Sequence, residues 1–434
     1  MEVVKDEISI RKYLNYKPSG VTWLGEIPEH WESLANKFIF NLKKNQVGKK
    51  STDYDLLSLT LRGIIIRNLE DGGKFPAEFD TYQEVKKGDF VFCLFDVEET
   101  PRCVGLSDYD GMITGAYTVM EPNRNFDRSF LYYFYLNLDA DKRMKPLYTG
   151  LRNTISKDNF FAFKTFVPPL PEQTTIAQFL DEKTSKIDQA IAIKEQQIAL
   201  LKERKQILIH KAVTKGVTSS AVEMKDSGVE WIGEIPEHWE VKRLKFLTRV
   251  KRGASPRPID NPIYFNDKGE FSWVRIADVT ANDHYLTQTT QKLSRLGASL
   301  SVKIYPKELF LSIAGTVGKP MISQIKCCIH DGFVYFPDLL ESFREYLFRV
   351  FENGSVYDGL GKFGTQLNLN TDTVSNIFIP IPTENEIYKI VSYIETASAK
   401  IETAISLKAQ EISKLQEYKS SLINSVVTGK VRVC

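Results

Sequence analysis

From Glu172 to Thr214 the chain runs without proline or glycine, and apolar residues fall at Ile176, Leu180, Ile187, Ile191, Ile198, Leu201 and Leu208. That spacing keeps one face of a helix, and Gly216 stands just past the end as a stop signal. The pattern returns from Glu384 to Thr428, ahead of Gly429, at a constant offset of 214 that pairs Ile176 with Ile390, Ile187 with Ile401 and Leu208 with Leu422. Each segment predicts a helix of about 43 residues, a rod of roughly 65 Å. A rod with one narrow apolar stripe needs a partner, and its own duplicate is the obvious one. The expectation is an antiparallel coiled coil that spaces two bodies. The alternative, in which each helix covers its own domain, is disfavoured by the length.

Between these helices the apolar runs are short. Phe90–Phe95, Ala116–Met120, Leu309–Ala314 and Phe333–Phe336 are rich in aromatic and β-branched residues and predict strands. Leu131–Leu136 and Phe343–Phe351 look like buried helices. The bodies, roughly 33–168 and 241–380, are mixed α/β and large enough for separate cores.

A second repeat frames them. SGVTWLGEIPEHWE, Ser19 to Glu32, returns as SGVEWIGEIPEHWE, Ser227 to Glu240, at an offset of 208. GLRNTIS, Gly150 to Ser156, aligns with GTQLNLN, Gly364 to Asn370, at 214. The chain is one design used twice, with divergent bodies inside a repeated frame. Trp23, Trp31, Trp231 and Trp239 read as anchors beneath each body.

Composition adds bounds. A chain of 434 residues, 42% apolar and 26% charged, predicts a folded protein of two or more domains. Cys93, Cys103, Cys327, Cys328 and Cys434 are odd in number and lack CxxC spacing, which predicts reduced thiols and a cytoplasmic location. The N-terminus has no secretory h-region, and no run of eighteen apolar residues predicts a membrane span.

Catalytic signatures are incomplete. Asp260–Tyr264, DNPIY, resembles the NPPY loop of amino-methyltransferases but has Ile263 for the second proline and no glycine-rich cofactor loop upstream. Gly315–Pro320, GTVGKP, has P-loop flavour with proline where Ser or Thr would bind magnesium, and reads as a tight turn. His30 and His238 lack metal spacing and sit beside tryptophans, as packing and hydrogen-bonding residues. His210, His284 and His330 are isolated. The expectation is a chain without catalytic residues, bound cofactor or metal.

Net charge is only +2, yet positive charge clusters after each lead-in motif. Asn36–Ser51 carries Lys37, Lys43, Lys44, Lys49 and Lys50 without an acid; Val241–Pro258 carries Lys242, Arg243, Lys245, Arg249, Lys251, Arg252 and Arg257 likewise. Matched runs in a near-neutral protein predict two equivalent polyanion sites, against the alternative of a solvated lysine-rich face. Candidate DNA contacts are Lys43, Lys44, Lys49, Lys50, Lys251, Arg252, Arg257 and Lys319. The shared loop adds Arg152, Asn153, Thr365, Gln366 and Asn368, residue types suited to base edges; a polar turn before a strand is the alternative.

This layout resembles the specificity subunits of type I restriction–modification systems. The resemblance rests on GVxWxGEIPEHWE before each body, PLPEQ (Pro169–Gln173) at the first long helix and the duplicated helices, and it covers essentially the whole chain. It implies an α+β fold: two mixed α/β target-recognition domains joined by two long helices as an antiparallel coiled coil, with pseudo-twofold duplication. The divisions are an N-terminal segment 1–18, a first recognition domain 19–168, a first spacer helix 169–216, a linker 217–226, a second recognition domain 227–381 and a second helix with tail 382–434. It also implies a bipartite, asymmetric double-stranded DNA target. Two modification subunits, adenine-N6 methyltransferases holding S-adenosylmethionine, would dock on the helices, and a restriction subunit using ATP and magnesium can join. The second half departs from the pattern, with PTENEI (Pro382–Ile387) in place of PLPEQ. Two other readings stay open: a self-sufficient methyltransferase or nuclease, and a coiled-coil scaffold carrying two protein-binding modules. Salt-sensitive DNA binding separates the scaffold from the DNA reader.

Overall fold

The computed structural model describes residues 11–68, 78–150, 152–217, 222–360 and 369–433. The chain divides into two units, residues 1–194 with 410–434, and residues 195–409. Two long helices, Leu170–Lys215 and Glu384–Val427, contribute to both. Proline sits in the first turn of Leu170–Lys215, where no helical N–H is needed.

Within the first unit the helices pair through Asp188 with Lys419 at 2.7 Å and Lys194 with Glu411 at 2.5 Å. Within the second, Lys408 donates to Gln197 at 2.6 Å and Lys205 to Glu402 at 2.7 Å. Numbers rise on one helix as they fall on the other, so the pairing is antiparallel in each unit. The three ion pairs among these rim contacts contribute only tenths of a kcal/mol each, on the order of 0.5. The seam is apolar: Ile187 and Leu422 are buried in the first core, and Ile209, Ile390 and Ile394 in the second.

The first body is built on a four-stranded antiparallel sheet in the order Phe40–Lys43, Thr118–Pro122, Phe90–Phe92, Val104–Leu106. The second repeats that order as Lys251–Arg252, Phe333–Tyr335, Leu309–Ser312, Pro320–Ser323, and adds Tyr285–Leu286 as a parallel fifth strand. Pairing of Lys43 with Val119 and of Lys251 with Tyr335 places the two lysines at equivalent points. The GTVGKP stretch is the turn joining Leu309–Ser312 to Pro320–Ser323, an antiparallel pair. Arg128–Ala140 and Glu341–Asn353 are the expected buried helices. Tyr346 on the latter is fully buried and donates to the Val213 and Pro380 carbonyls, both at 3.0 Å.

The repeated lead-in motif clamps each body to the start of a long helix. In the first unit His30 Nε2 lies 2.7 Å from Glu172 Oε2, and the Trp31 indole donates to Glu172 Oε1 at 3.1 Å. Tyr13 donates to the same carboxylate at 2.7 Å. In the second, His238 lies 2.9 Å from Glu386 and Trp239 donates to it at 3.2 Å. Glu386 also accepts the backbone N–H of Thr383, closing the helix N-terminus. Both carboxylates stand in a first helical turn, where the helix dipole favours negative charge. PTENEI therefore places its glutamate where PLPEQ does, and the clamp survives the departure in sequence.

The far helix ends close the same cores. Gly429, at φ +73°, lies against Trp31, and the Tyr16 hydroxyl donates to its carbonyl at 3.2 Å. Ala212 and Val213 pack with Trp239 in the second core, and Gly216 turns at φ +75° just beyond. Left-handed backbone at both stops explains the glycines.

Candidate nucleic-acid interface

Acids supplied by tertiary structure reorganise the basic stretches. Lys43 is half-buried on its strand and donates to Asp89 at 2.7 Å, whose carboxylate is buried. Asp89 also accepts the Lys86 backbone N–H at 2.8 Å. Lys44, Lys49 and Lys50 are exposed, the last two on the turn Gly48–Asp53. The Val47 N–H bonds the Tyr82 carbonyl at 3.0 Å and fixes that turn beside Tyr82.

In the second unit Arg249 forms a two-point ion pair with Asp338, and Lys242 pairs with Glu240 at 2.6 Å. Arg257 donates to Asp331 at 2.9 Å, and Arg252 donates to the Asp331 carbonyl at 2.5 Å. Burial would raise the Asp331 pKa, but the Ser255 hydroxyl, a backbone N–H and the charge of Arg257 hold it below the usual carboxylate value. Lys251 is exposed. Lys319 reaches the Thr280 carbonyl at 3.2 Å and faces Asp283 at 4.0 Å.

Of the shared loop, Arg152 and Asn153 are described in the first unit, and Leu369 and Asn370 in the second. Arg152 is exposed, Asn153 adopts φ +45°, and their carbonyls accept from Asp96 and Val97. Thr365, Gln366 and Asn368 lie outside the described residues.

Each body opens a cleft beside its basic stretch. In the second unit a cleft of about 910 Å³ is lined by Arg257, Trp273, Arg275, Gln291, His330 and Asp331, among others. Burial pushes the His330 pKa below its usual value, and the ring's Nδ1 accepts the Gly332 N–H at 2.9 Å. In the first unit Ser58, Arg67, Tyr82, Thr114 and Tyr117 help line a cleft of about 470 Å³. Both are lined by polar side chains among apolar ones, a lining that suits hydrogen bonding to base edges. Of the cleft residues named, sequence reasoning picked out Arg257 alone; it missed the others and the acids Asp89, Asp331 and Asp338. The acids lie 46 to 89 residues along the chain from the cations they meet, and only tertiary folding brings them close. Glu172 and Glu386 were findable, since they share the 214-residue offset of the helices.

With this architecture in view, comparison with known proteins is specific. The chain matches the family described as the type I restriction modification DNA specificity domain over residues 104–203 and 236–412. It belongs to that family, the sequence-specific DNA-recognition subunits of type I restriction–modification systems. The type I restriction enzyme MjaVIII specificity subunit of Methanocaldococcus jannaschii is 25% identical over 342 residues, 74% of this chain and 75% of that protein. The HindI specificity subunit of Haemophilus influenzae is 31% identical over 217 residues, 45% of this chain and 42% of that one. A solved chain from work on complex assembly and conformational transition of the type I system shares the fold, with TM-score 0.66 at 15% identity over 92% of this chain and 98% of that one. No helix among the described residues is long and apolar enough to cross a membrane.

Proposed function

We propose that this chain reads a two-part DNA sequence without doing chemistry on it, one half-site on each recognition body. The observation that carries this reading is the matched pair of polar clefts, each beside a basic stretch and each held in the same Glu–His–Trp clamp. A duplicated frame around different clefts suits an asymmetric target. Exposed lysines would meet phosphates and fix register, while cleft side chains would choose bases. Joining two short recognition events in one chain makes the second intramolecular and lengthens the specific site.

Two modification subunits would dock on the long helices, bring S-adenosylmethionine and flip the target adenine out of the stack. Leu200 and Ile207, one heptad apart and about half exposed at 56% and 47%, offer an apolar face for one of them. A restriction subunit with ATP and magnesium can complete the complex. The chain would work in the cytoplasm, with its thiols reduced.

Co-expression with the modification subunit, followed by single-molecule methylation mapping of host DNA, tests the reading. A new N6-methyladenine motif, asymmetric and split by a fixed gap, is expected. An intact, cofactor-loaded complex that leaves no new motif would refute it.

A further inference from the structure

The two clefts differ in volume and lining, yet both rest on the same sheet register. In the first unit Leu56 bridges Met112 in parallel, and Met112 pairs with Glu84. In the second, Trp273 pairs with Cys328 in parallel, and Cys328 pairs with Lys303. Leu56 and Trp273 are thus equivalent, as are Met112 and Cys328, and Leu56 and Trp273 both line their clefts.

Three polar positions follow from that ladder. Across from Leu56, Arg67 donates its backbone N–H to the Leu56 carbonyl at 2.8 Å; across from Trp273 stands Gln291. Two residues beyond Leu56 is Ser58, and two beyond Trp273 is Arg275. Two beyond Met112 is Thr114, and two beyond Cys328 is His330. All six line the clefts. Strand side chains alternate faces, so a step of two keeps the same side of the sheet. The backbone of each body therefore presents one three-point frame with different chemistry on it.

We infer that these matched positions are the base-reading set: Ser58, Arg67 and Thr114 for one half-site, Arg275, Gln291 and His330 for the other. The inference rests on the DNA-reading function proposed above and assigns its residues. Arg67 and Arg275 carry the fork that fits guanine, and Gln291 carries the donor–acceptor pair that fits adenine. Arg275 donates to Gln291, which holds both side chains ready in the open cleft. The Ser58 and Thr114 hydroxyls each offer donor and acceptor capacity, while His330 Nδ1 accepts the Gly332 N–H at 2.9 Å and leaves the Nε2–H as a donor. Cations stand alongside, Lys49 and Lys50 before the strand Leu57–Thr60 and Arg257 on the cleft wall. One shared frame with exchanged side chains accounts for two bodies of the same fold reading different sequences.

The test uses this chain in complex with its modification subunit, as wild type, Arg67→Ala and Gln291→Ala, each mapped by single-molecule methylation sequencing. Arg67→Ala should relax selectivity at one base of one half-site by roughly tenfold or more, leaving the other half-site unchanged. Gln291→Ala should do the same in the opposite half-site only. Where an alanine variant does not assemble, Arg67→Lys and Gln291→Glu carry the same comparison. Variants that keep the wild-type motif, or that lower methylation of every site alike, would overturn the assignment while leaving the DNA-reading function standing. A wild-type complex without a split motif would instead refute that function.

Discussion

The indole N–H of Trp239 donates to the Glu386 carboxylate at 3.2 Å, and the ring behind it is fully buried. Trp31 makes the equivalent bond to Glu172 at 3.1 Å in the other unit. One bond thus joins the start of each body to the first turn of a long helix, and it explains why the EHW tripeptide occurs twice.

Removing the acceptor should be costly. Glu386→Ala leaves the Trp239 N–H without its partner and uncaps the helix at Thr383, a loss of about 1–3 kcal/mol. Urea denaturation should show a lower midpoint for the variant with an unchanged slope. An unchanged midpoint would mean that packing of the indole alone holds the clamp.

The same carboxylate should make the second unit acid-sensitive. Burial would raise the Glu386 pKa, but hydrogen bonds from the Thr383 hydroxyl and backbone, His238 and Trp239 prevail and hold it at about 2, against an ordinary value of 4.5. The folded form therefore binds its proton less tightly than the unfolded form. The stabilisation is present above pH 4.5 and is lost as pH falls toward about 2. Thermal unfolding followed from pH 6 downward should show a smaller decline for Glu386→Gln than for wild type in that window.

Neighbouring lysines should divide into two kinds. Lys43→Ala strands the buried Asp89 and should cost on the order of 3 kcal/mol of stability. Lys44→Ala, Lys49→Ala and Lys50→Ala touch exposed side chains and should leave unfolding unchanged. Each that loses a phosphate contact should lower the log–log salt slope of DNA binding by about 1. Fluorescence anisotropy across a salt series beside thermal unfolding separates the two behaviours.

Docking on the long helices predicts a third phenotype. Leu200→Glu places a charge on the exposed apolar face and should weaken co-purification with the modification subunit at least several-fold. Thermal unfolding of the chain should stay the same, because Leu200 is 56% exposed. Full co-purification would move the docking surface elsewhere.

The thiols should be inert in the native protein. Cys93, Cys103, Cys327 and Cys328 are buried. Burial pushes the pKa of Cys103, Cys327 and Cys328 up to about 12. Thiolate, the reactive form, is scarce at neutral pH. Iodoacetamide followed by peptide mass mapping should leave these four unlabelled until denaturant is added.

The sequence by itself determined the duplication, the two long helices and the strand or helix character of the main apolar runs. Those features depend on periodicity and on stops such as Gly216 and Gly429, which act over a few residues. Local order also made the basic stretches visible, because charges adjacent in sequence stay adjacent on a strand or turn. What those charges do was decided by tertiary structure alone. Sheet pairing brings Asp89 to Lys43 from 46 residues away and Asp331 to Arg257 from 74, turning cations that look alike into structural ion pairs and exposed ones. The clefts were invisible for the same reason: Arg67 and Gln291 match through strand register, while loops of unequal length break the constant offset that revealed the helices.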